Sequence, residues 1–273
     1  MQNIELEKFW DEIQLMPEAV AELNKLIENE EISEEEYVEN SMLFAKDREQ
    51  FYERVMQKQN HRIHFLYYFS RMALQTWEQY VKKGISRRIY VDTFYDLTLW
   101  CGNCFRDFGE YGINEYGWFF RHLNLSLLRL GRLQYEIMES PWEIQAPSRK
   151  IQKGDLVISV HIPQGEKLDP NAVQSSLKQA YEFLGTDMPY LCHSWLLYPG
   201  LKEILNEDSN ILKFQQEFHL LAVDYAEREG EQRIFTALKE KPQEYPENTT
   251  LQRNAKQYLL SGKRLGSGLG IIR

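Results

Sequence analysis

The sequence predicts an α+β protein, with a helical N-terminal half followed by a mixed sheet in the C-terminal half. Three observations carry this. Up to about residue 118 the apolar residues recur at helical spacing; from 131 short runs alternate polar and apolar; after 155 such runs take turns with helical segments. The expected division is a helical domain over 1–118 and an α/β domain over 119–273.

The first half opens with "DEIQLMPEAVAELNKLIEN", where Ile13, Leu15, Met16, Val20, Leu23 and Ile27 fall roughly at helical intervals. "SEEEYVENSMLFA" starts with a serine followed by acids, which suits the positive end of a helix dipole. "DREQFYERVMQ", the long "HRIHFLYYFSRMALQTWEQYVKKG" closed by Gly84, and "SRRIYVDTFYDLTLWCGNCFRDFG" continue the helical series. "WFFRHLNLSLLRL" permits a helix or an extended run. "GRLQYEIM" alternates, with Arg132, Gln134 and Glu136 on one face and Leu133, Tyr135 and Ile137 on the other. A polar, Pro-containing stretch over 139–154 follows, and then "DLVISVHIP" alternates again. "DPNAVQSSLKQAYEFLG" reads as a helix capped by Asp169, with Pro170 in its first turn and Gly185 at its end. A strand over 190–198, the segments "PGLKEILNE" and "SNILKFQQEF", a short buried strand "HLLAVDYA", and the helices "EGEQRIFTALKEK" and "LQRNAKQYLLSG" complete the order.

Composition narrows the function. Hydrophobic residues make 43% and charged residues 27% of 273, so a sizeable core can be buried. A net charge of −9 argues against general nucleic-acid binding, which depends on neutralising phosphates. No apolar run approaches the ~18–20 residues that span a bilayer, and the acidic first twenty residues lack a signal peptide's pattern. A cytoplasmic protein is expected, with no membrane or nucleic-acid partner. Three cysteines are too few for a disulfide framework, and Cys101 and Cys104 form a lone CxxC within a helical context. Packing is the expected role of that pair. His61 and His64 stand one helical turn apart without a carboxylate at the matching spacing, so no metal site is expected.

The candidate chemistry lies on the alternating strands. Runs 131–138 and 155–162 are expected to pair, because sequential strands usually do. Their polar faces then offer Arg132, Gln134 and Glu136 on one strand and Ser159 and His161 on the next. With strands ~4.8 Å apart and a suitable register, Glu136 can reach His161 and orient the imidazole as a general base; the plainer reading is an exposed sheet face carrying ordinary polar residues. In "YLCHSWLLYP", neighbouring side chains face opposite ways, so Cys192 and His193 cannot form a dyad with each other. Leu191, His193, Trp195 and Leu197 form the greasier set. Burial therefore places that set against helices, makes His193 a core histidine, and turns Cys192 and Ser194 toward His161. Cys192 is expected to be a small buried packing residue, with a covalent nucleophile as the alternative. Arg132, Ser159, Ser194, Trp195 and His193 are the candidate substrate contacts. At the C-terminus "GKRLGSGLG" brings Lys263 and Arg264 beside glycines, and Gly-rich backbone near cations is how phosphates are cradled, which makes Lys263, Arg264, Gly266 and Gly268 candidate phosphate-binding positions. A flexible tail is the plainer reading.

At "FFRHLNLSLLRLGRLQYE", "VHIPQGEKLDP", "CHSWLLYPGLKEIL", "SNILKFQQEF" and "TTLQRNAKQYLLSG" the chain resembles a bacterial acyltransferase-like family. Its members join a helical N-acyltransferase N-terminal domain to a GNAT-like C-terminal domain. The resemblance implies a GNAT-like second half and acyl transfer from acyl-CoA or acetyl-CoA to the amine of a small molecule by direct attack. It also implies a phosphate loop after the strand "ISVHIP". The loop there reads "QGEKLDP", and the nearest match to Gln/Arg-x-x-Gly-x-Gly is instead Lys263 to Gly268. The competing expectation is a non-catalytic small-molecule or protein-binding module on the same fold.

Overall fold

A computed structural model describes residues 2–147 and 149–273. The chain divides into two compact units. One runs to Leu130 and includes Pro163–Gly165; the other holds Gly131–Ile162 and Glu166–Arg273.

The first unit is helical. It contains α1 (Gln2–Glu12), α2 (Pro17–Glu28), α3 (Glu34–Lys46), α4 (Arg48–Met56), α5 (His61–Lys82), α6 (Arg87–Phe94), α7 (Asp96–Phe108) and the one-turn α8 (Phe120–Leu123), and ends in the extended segment β1 (Leu127–Leu130). Side-chain caps start several of these helices. Ser33, Asp47 and Ser86 each accept a backbone N–H three residues on, and so satisfy a donor the helix itself cannot. The other helices pack around α5, which buries Phe65, Leu66, Tyr68, Phe69, Ala73 and Tyr80. Burying an aromatic ring of this kind contributes about 1.5–3 kcal/mol by removal of apolar area from water. Polar atoms in this core are paired where they tie elements together. The Tyr80 hydroxyl donates to the His122 carbonyl at 3.2 Å, and the Asp96 carboxylate accepts from the His122 ring at 2.9 Å and from the Trp118 indole at 3.3 Å. Gly112, at φ +142°, passes so close to the backbone of Arg62 that a Cβ there would lie 2.3 Å from the Arg62 carbonyl carbon. Only glycine fits. Cys101 and Cys104 lie buried on α7 as packing groups, and burial pushes their thiols up to about 12 and about 11. On α5 the buried His64 bonds through Nδ1 to the Asn60 carbonyl at 3.0 Å.

The second unit contains β2 (Leu133–Glu139), β3 (Ile144–Gln145), β4 (Lys150–Ile151), β5 (Leu156–His161), α9 (Pro170–Leu184), β6 (Tyr190–Ser194), α10 (Asn210–Gln215), β7 (Phe218–Asp224), α11 (Glu229–Phe235), α12 (Thr250–Leu260) and β8 (Ser267–Ile272). Within it the main strands lie side by side in the order β2-β5-β6-β8-β7. β2 and β5 are antiparallel, β5 and β6 parallel, and β8 runs antiparallel to both β6 and β7. The sheet is mixed, as the alternation of strands and helices predicts.

Each face of this sheet has its own cover. α9 packs on the face of Leu133, Tyr135 and Tyr190. There the Ser176 hydroxyl accepts the Leu133 N–H at 3.0 Å and bonds the Tyr135 hydroxyl at 3.0 Å, while the Tyr190 hydroxyl donates to the Gly185 carbonyl at 2.6 Å. On the other face the β3–β4 hairpin brings Ala146 and Ile151 onto Val157, Leu191, Leu269 and Ile271. That hairpin comes from the stretch read as a polar connection. Three further expectations change. The strand beginning at Tyr190 ends at Ser194, where a 3-10 turn over Trp195–Leu197 takes over. β7 is a partly exposed edge rather than a buried strand. The C-terminus is no loose tail but an inner strand, β8, bonded on both sides.

Candidate functional site

Register decides which side chains share a face. Directly paired residues point the same way. Glu136 pairs with Ser159 and Gln134 with His161 across β2 and β5; Ser159 pairs with Leu191 across β5 and β6. One face therefore carries Gln134, Glu136, Ser159, His161 and, two residues beyond Leu191, His193. Tyr135, Ile158, Val160, Tyr190, Cys192 and Ser194 occupy the other.

Glu136 and His161 meet on the first face, with His161 Nε2 3.0 Å from Glu136 Oε2. The contact is diagonal, one step off the direct pair, and is reached by the length of the glutamate side chain. A carboxylate is an acceptor only, so the neutral imidazole carries its proton on Nε2 and its lone pair on Nδ1. The carboxylate is 8% exposed and the ring 26%, so a half-open imidazole is held by a nearly buried carboxylate. Ser159 lies beside them, buried, on the strand that carries His161.

A second imidazole–carboxylate pair shares the face. His193 Nε2 lies 2.6 Å from Asp224 Oδ2, its side chain is 35% exposed, and its ring centroid is 5.7 Å from that of Trp142. The expectation of a core histidine is thus overturned. The greasy neighbour that suggested it, Leu191, is covered by the hairpin, while His193, one pleat further along, stands at the open end. Asp224 was not singled out from the sequence, because the order β6-β8-β7 that brings it near His193 leaves no local trace.

The parallel pairing of β5 with β6 is short. It covers Ile158 with Tyr190 and Ser159 with Leu191, although β5 continues to His161 and β6 to Ser194. Past Ser159 no further pair joins the two strands, and His161 and His193 lie beyond the last pair.

Residues 127–272 match the GNAT-like C-terminal domain. The chain belongs to that family. Residues 4–125 match the N-acyltransferase N-terminal domain. A comparison with curated proteins returned no match. Among solved structures, an acyltransferase in complex with decanoyl-CoA aligns over 98% of both chains at a TM-score of 0.66 and 22% identity. An acyltransferase in complex with decanoyl-CoA and teicoplanin aligns over 77% of this chain at a TM-score of 0.64 and 24% identity. One in complex with CoA and 10C-teicoplanin aligns over 78% at 0.65 and 24% identity. The chain spans about two thirds, 66%, of the length of those last two. At such identities the likeness is one of fold.

The remaining candidates of the GNAT-like domain fall elsewhere. Cys192 lies on the face opposite His161, wholly buried, and burial drives its thiol well above the ordinary range. A neutral, sealed thiol is no nucleophile. Ser194 shares that face, and its hydroxyl accepts the Leu196 N–H at 3.1 Å, capping the turn that ends the strand. Trp195 sits in that turn, packed with Tyr198 and Leu201. The Arg132 guanidinium donates to the carbonyls of Lys167 at 3.0 Å and Glu166 at 2.8 Å, which makes it an anchor for the loop before α9. At the C-terminus Lys263 pairs with Glu203, and Arg264 donates to the Tyr225 carbonyl at 3.1 Å. A Cβ on Gly266 would lie 2.5 Å from the Asp224 carbonyl oxygen, and one on Gly268 2.4 Å from that of Leu197. These glycines let protein backbone approach protein backbone; the space a phosphate would take is filled.

Proposed function

We propose that the chain is an acyl-CoA-dependent N-acyltransferase acting on the amine of a small molecule, with His161 as general base and Glu136 as its orienting partner. The observation that carries this reading is the early end of the β5–β6 ladder, with a carboxylate-held imidazole beyond it. Main-chain groups past the last pair suit an extended ligand with amides of its own, such as the pantetheine arm of CoA. The relatives of like fold hold decanoyl-CoA or CoA. Entering there, a thioester reaches the face that bears His161. The amine nitrogen attacks the thioester carbon as His161 Nδ1 takes its proton; the C–N bond forms, the C–S bond breaks, and CoA leaves as thiolate. His161, now protonated on Nδ1, returns that proton to the thiolate, and His193, its Nε2–H held by Asp224, presents a second Nδ1 lone pair on the same face. No covalent enzyme intermediate is needed. Positioning two reactants in one cleft supplies much of the acceleration.

One feature favours the competing reading, a binding module without catalysis. The Asp169 carboxylate already accepts the N–H groups of Asn171 and Ala172, so the N-terminus of α9 offers a phosphate little. Thermal unfolding with acetyl-, octanoyl- and decanoyl-CoA separates the two. An acyl-CoA at ~100 times its Kd adds about 2.7 kcal/mol and raises the midpoint. CoA release with a panel of amines then shows transfer. No shift with any of the three acyl-CoAs contradicts the enzyme reading.

A further inference from the structure

Gln134 is a buried polar group on the dyad's face whose amide nitrogen is unmet among the described residues. It sits on β2 with its Cα paired to that of His161 and lies two residues from Glu136, so its side chain belongs to the same face as both. It is 2% exposed, and its Nε2 has no hydrogen-bond partner among the described residues. An amide N–H buried without an acceptor costs about 1–3 kcal/mol, and a leucine or methionine of similar volume would avoid that cost. Unmet donors of this kind call for an explanation, and a ligand that supplies the missing acceptor is one.

We infer that Gln134 donates its side-chain N–H to the carbonyl oxygen of the bound acyl group. The inference deepens the acyl-transfer reading and rests on it. Paired Cα atoms across antiparallel strands lie about 4.5–5.5 Å apart, so the donor and the base stand side by side. As the amine attacks, the carbonyl π electrons move onto oxygen, His161 holds the proton from nitrogen, and the Gln134 N–H meets the oxyanion. Collapse re-forms the C=O bond and expels the CoA thiolate. A donor that is already buried and already oriented stabilises charge at the moment it develops, without reorganising water. A neutral amide suits the place because it does not compete with Glu136 for the His161 proton. Gln134 is thus a catalytic residue of this reaction, and the acceptor its N–H lacks is supplied in full only as the oxyanion develops.

Gln134→Met tests this through two readouts that a structural role would move together. The expected result is an unfolding midpoint equal to or above that of the native protein. With it goes a fall in kcat of about 10²–10³-fold, the usual loss for one oxyanion donor, while the calorimetric Kd for acyl-CoA stays within about threefold. Gln134→Leu gives a second apolar replacement should the methionine variant not fold. Equal turnover by native protein and variant overturns the inference and leaves the acyl-transfer reading standing. A loss of kcat that tracks a loss of stability or of acyl-CoA binding overturns it too. Absence of CoA release by the native protein with every amine removes the acyl-transfer reading and the inference with it.

Discussion

Cys192 and His161 lie on neighbouring strands, and nothing local in the sequence says which face of β6 each residue takes. Parity along one strand was legible: alternation in "GRLQYEIM" and "ISVHIP" placed Glu136 and His161 together, and an antiparallel neighbour with a reachable diagonal turned that into a 3.0 Å contact. Parity between β5 and β6 was not, because their parallel register is set through α9 and the loops around it. Greasiness misled, since the apolar cover of Leu191 comes from the β3–β4 hairpin in a stretch that reads as polar loop. A direct consequence concerns the thiols. Cys192→Ala is expected to keep kcat within about threefold, as fits a packing residue rather than a nucleophile. A thiol reagent should modify none of the three cysteines quickly in the native protein and all three on unfolding, because each is buried. Rapid native labelling of Cys192 with loss of turnover would contradict this.

Among the elements, helices were easier to read than strands. Helical spacing and caps such as Ser33 and Asp169 announced themselves, whereas β8 did not. Its "SGLGII" looks like loop because glycine weakens a strand, yet Gly268 and Gly270 are there so that Leu197 and Phe218 can approach. The segment following β7 shows how such irregular chain is held. α11 is fixed by a buried knot in which the Glu231 carboxylate accepts from the Arg228 guanidinium at 2.6 Å and from the Tyr245 hydroxyl at 2.7 Å. Burial alone would raise the Glu231 carboxyl, but those two donors bring it below its ordinary value. A carboxyl with a depressed folded value adds stability above its unfolded value, about pH 4.3, and loses it as pH falls through the folded one. Glu231→Gln should therefore destabilise the protein by roughly 1–2 kcal/mol at pH 7, allowing for the half-exposed arginine. The difference from the native protein should shrink below about pH 4.3. Urea titrations at pH 7 and pH 3.5 check it; a difference that persists at the lower pH contradicts the assignment.

At the scale of the whole chain, the first compact unit runs to Leu130 and takes in Pro163–Gly165, past the boundary at residue 118 that the change of texture predicts. None of the described helices is long and apolar enough to cross a membrane. The site required more than texture, because it depends on three strands distant in sequence and on where one parallel ladder stops. Within the second unit, every part of the proposed chemistry sits by that end of the ladder: His161 with Glu136, His193 with Asp224, and Gln134 beside the base. Deprotonation of the amine by an imidazole that Glu136 orients is the step on which the proposed chemistry depends. Its most direct measurement is kcat for CoA release, with an amine that the native protein accepts, in His161→Gln. Loss of a general base predicts a fall of about 10²–10⁴-fold, with acyl-CoA still bound as in the native protein. A variant that turns over within a few fold of the native rate contradicts the account.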